Sequence, residues 1–381
     1  MPFVLARSLL ILAVAFSTMG NLATAFADDP LVFISSFSGG DKGGIQAYRL
    51  NLDSGELKLA QRTGDNPNPF FLALSSNNKF LYSIHAKNFG GKENEEVAAY
   101  EIVSRDGQLK RLNRQSAMGT AACYLDVDAT GKAVVVSNYT TGNVASLSVK
   151  EDGSLGDVVS TIQHSGTGAD PARQKGPHAH CIVVSPDNKF AYSADLGLDQ
   201  IMIYKLDPAT AKLTANQPAF AKTPATAGPR HLTFHPNGKH VYVINELSNS
   251  VTVFDYNAET GALVETQTIS TLPKDFDGKS YCADLKITPD GKFLYGTNRG
   301  HDSLAAYRIG DNGQLKLIGI EPSLGKGPQN LLIAPGGKLL LCANMPGNNV
   351  AIFRIDPQTG ALKSAGTPIE HASPSCIMLV P

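Results

Sequence analysis

The chain has 381 residues, 42% of them hydrophobic, enough to bury a large core. Its 33 basic and 34 acidic residues leave a formal charge of −1, so no global field draws it to nucleic acid or anionic lipid; a small polar ligand is the more natural partner. Thirty-six glycines and 22 prolines without low-complexity runs imply many tight turns, not disorder.

Residues 1–27 read as a signal peptide. Arg7 precedes the apolar run Leu9 to Phe16, and Ala25-Phe26-Ala27 places small residues where signal peptidase needs them. Cleavage is expected between Ala27 and Asp28, giving a periplasmic or secreted domain of residues 28–381. The run is too short to span a bilayer, and no later segment reaches about 18 uninterrupted apolar residues, so no membrane insertion is expected.

From there the chain repeats. One phrase, a short alternating strand entering a turn, begins as IQAYRLNLDSGEL at Ile45 and recurs with anchors Tyr48, Tyr100, Leu147, Tyr204, Phe254, Tyr307 and Phe353. The anchors lie 52, 47, 57, 50, 53 and 46 residues apart, which makes seven copies. A second phrase, a hairpin such as VSPDNKFAYS or ITPDGKFLYG, has Asn and Gly at its turn and β-branched or aromatic flanks. It is intact only six times. Leu31 to Phe37 and Ser375 to Val380 are the two halves of the seventh, so the termini share one blade. The expected fold is all-β: a seven-bladed β-propeller of four-stranded antiparallel blades, closed without exposed sheet edges. No stretch keeps a helical period over three turns, and the lack of tryptophan excludes WD-type repeats.

The five cysteines, Cys123, Cys181, Cys282, Cys342 and Cys376, form no CxxC pair and lie in or beside apolar strand-like runs. They read first as small core residues, not a metal or redox site, with one disulfide left open for an oxidising compartment.

Let strands A to D run outward from the channel. The hairpin is then A-turn-B, and the start of A and the end of B emerge on one face because neighbouring strands are antiparallel. Unusual residues collect at those two places. Before strand A come RQKGPHAH (Arg173 to His180), GPRH (Gly228 to His231) and GPQN (Gly327 to Asn330). After strand B come DLGLD (Asp195 to Asp199), NELSN (Asn245 to Asn249) and NRGHD (Asn298 to Asp302). Such a cluster at a channel mouth is a default binding site. His178 and His180 would share a side of their strand, and one of the pair reads as a structural histidine. Asp199 and Asp302 have a second reading as loop caps, and Arg173 as a solvated charge. His235 and His240 lie at the opposite end and take no role.

These strings resemble the bacterial lactonase family of seven-bladed propellers, which includes a type of 6-phosphogluconolactonase and is related to fungal carboxymuconate lactonising enzymes. The resemblance covers nearly all of the chain after residue 27 and is densest from GPHAHCIVVSPDNKFAYSADLGLDQI to KSYCADLKITPDGKFLYGTNRGHDSLAAY. It implies site residues at His178 of PHxH, Arg230 of PRH, Glu246 of NEL, and Arg299 and His301 of NRGHD. The family's usual GPRN is here GPQN, with Gln329 in place of an arginine. The lost cation speaks against a phosphorylated substrate.

The implied chemistry is hydrolysis of a sugar lactone. His178 or Glu246 would activate water, Arg230 and Arg299 would hold the carbonyl and ring oxygens, and His301 would protonate the leaving alkoxide. His180, His231, Asp302, Gln329 and Asn330 are candidates for substrate binding. No metal or other cofactor is called for, and a monomer is the default assembly. Two other readings stay open: a cycloisomerase that forms a lactone from an unsaturated acid, and a non-catalytic ring that binds a ligand or protein.

Overall fold

The computed structural model describes residues 29–64, 67–86 and 90–380. The signal-peptide expectation, on residues 1–27, lies outside them. Seven antiparallel sheets form the blades, and a single short 3-10 turn, Gly40–Lys42, is the helical content among the described residues. The seven innermost strands are Pro374–Val380, Pro69–Leu74, Ala122–Val127, Ala179–Val184, Pro229–Phe234, Tyr281–Ile287 and Pro328–Ile333, in blades 1 to 7. Each packs against the next, and Pro328–Ile333 against Pro374–Val380, so the ring is closed.

Blade 1 is the shared one. Its strand order places Pro374–Val380 beside Leu31–Ser36, in antiparallel register from Leu31 opposite Val380 to Ser36 opposite Pro374. Ser35 and Ser375 meet at 2.9 Å, and the Ile377 N–H donates to Asn330 Oδ1 of blade 7 at 2.8 Å. The ring is thus tied on both sides of its seam.

Between blades the core is aliphatic and aromatic, and the repeat shows in its bonds. Buried Tyr82, Tyr192, Tyr242 and Tyr295 donate to the carbonyls of Gly153, Gly261, Gly313 and Gly360, at 2.7–3.0 Å. Each link runs from strand B of one blade to the C–D turn of the next. Gly360 has φ +76°, and a Cβ there would lie 2.3 Å from the Phe293 ring, so only glycine fits this approach. All five cysteines are buried and free.

One irregularity recurs. In every blade the pairing of strands A and B shifts register near the start of A, leaving an extra residue in A: Ser375, Phe70, Cys123, His180, Arg230, Ala283 and Gln329 in blades 1 to 7. A bulge of this kind re-aims one side chain.

Ending the chain at Ala372 removes the innermost strand of blade 1 and opens the ring. Because the blades stabilise one another in a circle, the thermal midpoint should fall by more than about 10 °C, far beyond what a frayed terminus costs. An unchanged midpoint would refute the shared blade.

Candidate active site

A cavity of about 300 Å³ opens where the A-starts and B-ends converge. Ten side chains line it, and they come from two positions per blade. The bulge of strand A contributes Phe70, Cys123, His180, Arg230 and Gln329. The residue following the buried polar side chain at the end of strand B contributes Phe37, Tyr139, Glu246, Arg299 and Met345. That preceding side chain is an asparagine in blades 3, 5, 6 and 7. Asn138, Asn298 and Asn344 each donate from Nδ2 to a carbonyl in the loop leading into strand A, at Ala117, Thr271 and Ser323, which pins the strand end that carries the lining residue.

Glu246 is the hub. Its Oε2 accepts from Arg230 Nε at 3.1 Å and Arg299 Nη2 at 2.7 Å, and its Oε1 accepts from Arg173 Nη2 at 2.9 Å. Burial alone would raise this carboxyl, but Arg299, Arg230 and Arg173 outweigh it and hold the group below the usual glutamate value. Arg230 is itself lowered to about 10, by burial and by Arg299, and stays charged at neutral pH. Three guanidiniums against one carboxylate leave two positive charges in excess, a field suited to an oxyanion. Gln329 Oε1 accepts from Arg299 Nη1 at 3.4 Å.

His180 sits in the wall with Nε2 4.0 Å from Glu246 Oε2 and Nδ1 3.6 Å from Cys123 Sγ. Burial, then Arg230 and His231, push its pKa well below 6.5, so the ring is neutral. His178 is placed differently. Because the bulge at residue 180 breaks the alternation, the two histidines do not share a side. His178 stacks on Tyr139 with centroids 4.5 Å apart, and its Nδ1 is 3.0 Å from the Tyr139 carbonyl, outside the cavity lining.

Beneath the cavity a buried network holds Arg230. His231 Nε2 accepts from Arg230 Nη1 at 3.1 Å, and its Nδ1 donates to Asp284 Oδ1 at 2.9 Å. Asp284 also accepts from Lys286 Nζ at 3.0 Å, Asn330 Nδ2 at 2.8 Å and the Leu331 N–H at 2.9 Å. Burial would raise Asp284, but Lys286 and His231 hold it well below the ordinary aspartate value.

The ten candidates therefore divide. His180, Arg230, Glu246, Arg299 and Gln329 line the cavity, while His231 and Asn330 lie under it and act through Arg230 and Asp284. Three are not brought into it. His178 is at its edge, His301 binds Ser303 Oγ at 2.7 Å beside Phe276, and Asp302 caps its loop by accepting from Gly300 and Gly327. Arg173, for which a solvated loop charge was the second reading, pairs with Glu246 and with Tyr139 Oη at 3.3 Å. Tyr139, Cys123, Phe37, Phe70, Met345 and Asp284 were not foreseen. Aligning the seven repeats on their B-end polar residue places Phe37, Tyr139 and Met345 in one column with Glu246 and Arg299, which is the signal that finds them.

A closed seven-bladed ring with a cationic pocket over its axis defines a class: a propeller that binds a small, electron-rich molecule at one mouth. A family model described as lactonase, 7-bladed beta-propeller, matches residues 31–379. A 6-phosphogluconolactonase of Bacillus subtilis is 34% identical over 350 residues, 91% of this chain and 97% of that protein. Another, of Formosa agariphila, is 37% identical over 338 residues, 87% of this chain and 94% of that protein. The structure of a periplasmic gluconolactonase from Pseudomonas aeruginosa has a TM-score of 0.87 at 30% identity, covering 92% of this chain and 99% of that one. The chain belongs to the lactonase family of seven-bladed β-propellers.

The buried histidines predict an acid limit to stability. Burial first of all lowers His231 and His371 to about 4 and His85 to about 3 from an ordinary 6.5, and it lowers His180 well below 6.5 as well. The unfolded chain takes up these protons near pH 6.5 and the folded chain does not, so their contribution is present above 6.5 and lost as pH falls toward 4. Asp126, raised to about 6 by burial, and Glu95 work the other way, two groups against four. Thermal midpoints should be level above about pH 7 and drop below 6.5, with a shallower drop in His371→Gln. A midpoint constant down to pH 4.5 would contradict this account.

Proposed function

We propose that this protein is an exported hydrolase that opens an unphosphorylated sugar lactone to its aldonic acid. The observation that carries the reading is the pair Arg230 and Arg299, held on Glu246 with positive charge in excess beside the neutral ring of His180. Ester hydrolysis needs a group to take a proton from water and fixed donors for the oxyanion. Glu246, with both oxygens engaged by guanidiniums, is a poor proton acceptor and a good anchor. His180 takes the proton, and Glu246 Oε2 offsets the charge on the imidazolium that forms. Water adds to the carbonyl carbon, Arg230 and Arg299 hold the oxyanion, the ring C–O bond breaks, and the proton passes from His180 to the leaving alkoxide.

The relatives named 6-phosphogluconolactonase favour a phosphorylated substrate as the second reading. Gln329, where the family carries a cation, supports the unphosphorylated one. So does the export signal ending at Ala27, because an exported enzyme meets lactones made outside the cytoplasm; a relative of periplasmic description accords with it. N-terminal sequencing of protein from the native host should find Asp28.

Hydrolysis followed by pH-stat on glucono-δ-lactone and its 6-phosphate should give at least a tenfold higher kcat/KM for the former, and Gln329→Arg should narrow that gap. His180→Ala and Glu246→Gln should each lower kcat by about 10² or more. His178→Ala should cost less than about tenfold, and His240→Ala, at the far end of the ring, should be silent. A larger loss in His178→Ala than in His180→Ala would reverse the assignment of the base. Hydrolysis no faster than the uncatalysed rate on both lactones would defeat the reading.

A further inference from the structure

The cavity has two unlike walls. Tyr139, His180, Arg230, Glu246 and Arg299 come from blades 3 to 6, whereas Phe37, Phe70 and Met345 come from blades 7, 1 and 2. Gln329 of blade 7 is the polar side chain of that second wall, its Oε1 turned to Arg299 Nη1; a hydroxyl facing the two phenylalanines and the methionine would lose its water and gain no bond. On this side the cavity does not end. It continues into a groove of about 850 Å³ that shares Phe37, Arg299, Gln329 and Met345 with it and adds Tyr281 and Pro346. Tyr281 is 40% exposed, and Pro346 is exposed as well. Lys279 and Lys326 also border the groove, both solvent-exposed, with apolar stems and hydrated heads. A partly exposed aromatic ring with the Arg173 guanidinium 5.7 Å from its centroid, an exposed proline and a half-buried thioether, with Asp302 at the margin, form beside a reactive cavity a binding surface for an apolar group.

We propose that the site also hydrolyses γ- and δ-lactones bearing an aliphatic arm on the carbon next to the ring oxygen, with the arm lying in this groove. The inference rests on the lactone-hydrolysis reading. With the carbonyl at Arg230 and Arg299, the lactone ring occupies the cavity, and its far carbon faces Phe37 and Met345, where the groove begins. The reaction is the same. The oxygen of water bonds to the carbonyl carbon, the ring C–O bond breaks, one proton of water ends on the released hydroxyl, and the other leaves as the new carboxylic acid ionises. The arm is held equally in ground and transition states, so its effect falls on KM.

The test uses the full-length exported protein and δ-valerolactones carrying at the ring-oxygen carbon no arm, or a linear arm of two, four or six carbons, with glucono-δ-lactone as reference. KM should fall by about twofold to fourfold per methylene, the partition value for a carbon removed from water, with kcat nearly constant. Pro346→Asp, a charge set in the groove outside the cavity, should flatten the series and leave the glucono-δ-lactone rate unchanged, which also shows that the variant is folded. Tyr281→Ala should raise KM for the six-carbon arm several-fold more than for the unsubstituted lactone. A wild-type series that is flat, or in which KM rises with the arm while glucono-δ-lactone is hydrolysed, overturns the groove assignment and leaves the sugar-lactone reading standing. Failure on every lactone overturns both.

Discussion

Everything at the mouth of this molecule depends on the pairing of its last strand with its first. Leu31 to Ser36 finds Pro374 to Val380 across some 340 residues of sequence, and the closed ring that results fixes a common axis for seven innermost strands. A strand running beside that axis alternates its side chains between neighbouring blades, and neither direction points into the mouth. The bulge near the start of each A strand solves this. It inserts one residue outside the alternation in every blade, and in five of them that residue lines the cavity: Phe70, Cys123, His180, Arg230 and Gln329. Opening the seam would release that geometry in all blades together, because no blade defines the axis by itself.

The second set of lining residues has a different support. Each follows a buried polar side chain at the end of strand B, and in three blades an asparagine there is bonded into the loop before strand A. The repeat therefore supplies fourteen places around one pit and leaves their chemistry free. In blades 3 to 6 they hold the charged cluster, and in blades 7, 1 and 2 they hold Phe37, Phe70 and Met345 beside Gln329. The backbone is nearly sevenfold while the site is one-sided, so specificity rests on side-chain choice at fixed points and not on loop insertions.

This division explains what could be read from the sequence. The repeat count, the shared blade and the convergence of A-starts with B-ends follow from periodicity, and they bring Arg230, Glu246 and Arg299 together as expected. The choice between His178 and His180 did not follow, because alternation predicts that residues i and i+2 share a side and a one-residue bulge cancels that rule. The two readings of Arg173 stayed open for another reason. A loop charge looks solvated unless its partner, 73 positions away, is known. Asp284 was invisible because a buried aspartate is recognisable only from its donors, His231, Lys286 and Asn330, which come from three parts of the chain.

The same facts decide what Glu246 does. Two guanidiniums approach one carboxylate oxygen from adjacent blades, both near or below the surface of a low-dielectric cavity, where like charges repel more strongly than in water. Burial first, and then that repulsion, lower the Arg230 pKa to about 10. The carboxylate between them is the charge that offsets this repulsion, since a buried charge stripped of its partner costs far more than the pair contributes. A glutamate spent in this way cannot also be freely protonated. In the proposed mechanism its loss disperses the arginines before it removes any proton transfer, so the kinetic effect of changing Glu246 would travel through Arg230 and Arg299. In the proposed mechanism the imidazole of His180, kept neutral by burial first and then by the neighbouring positive charge, is the group left to accept a proton, with Glu246 Oε2 4.0 Å from its Nε2.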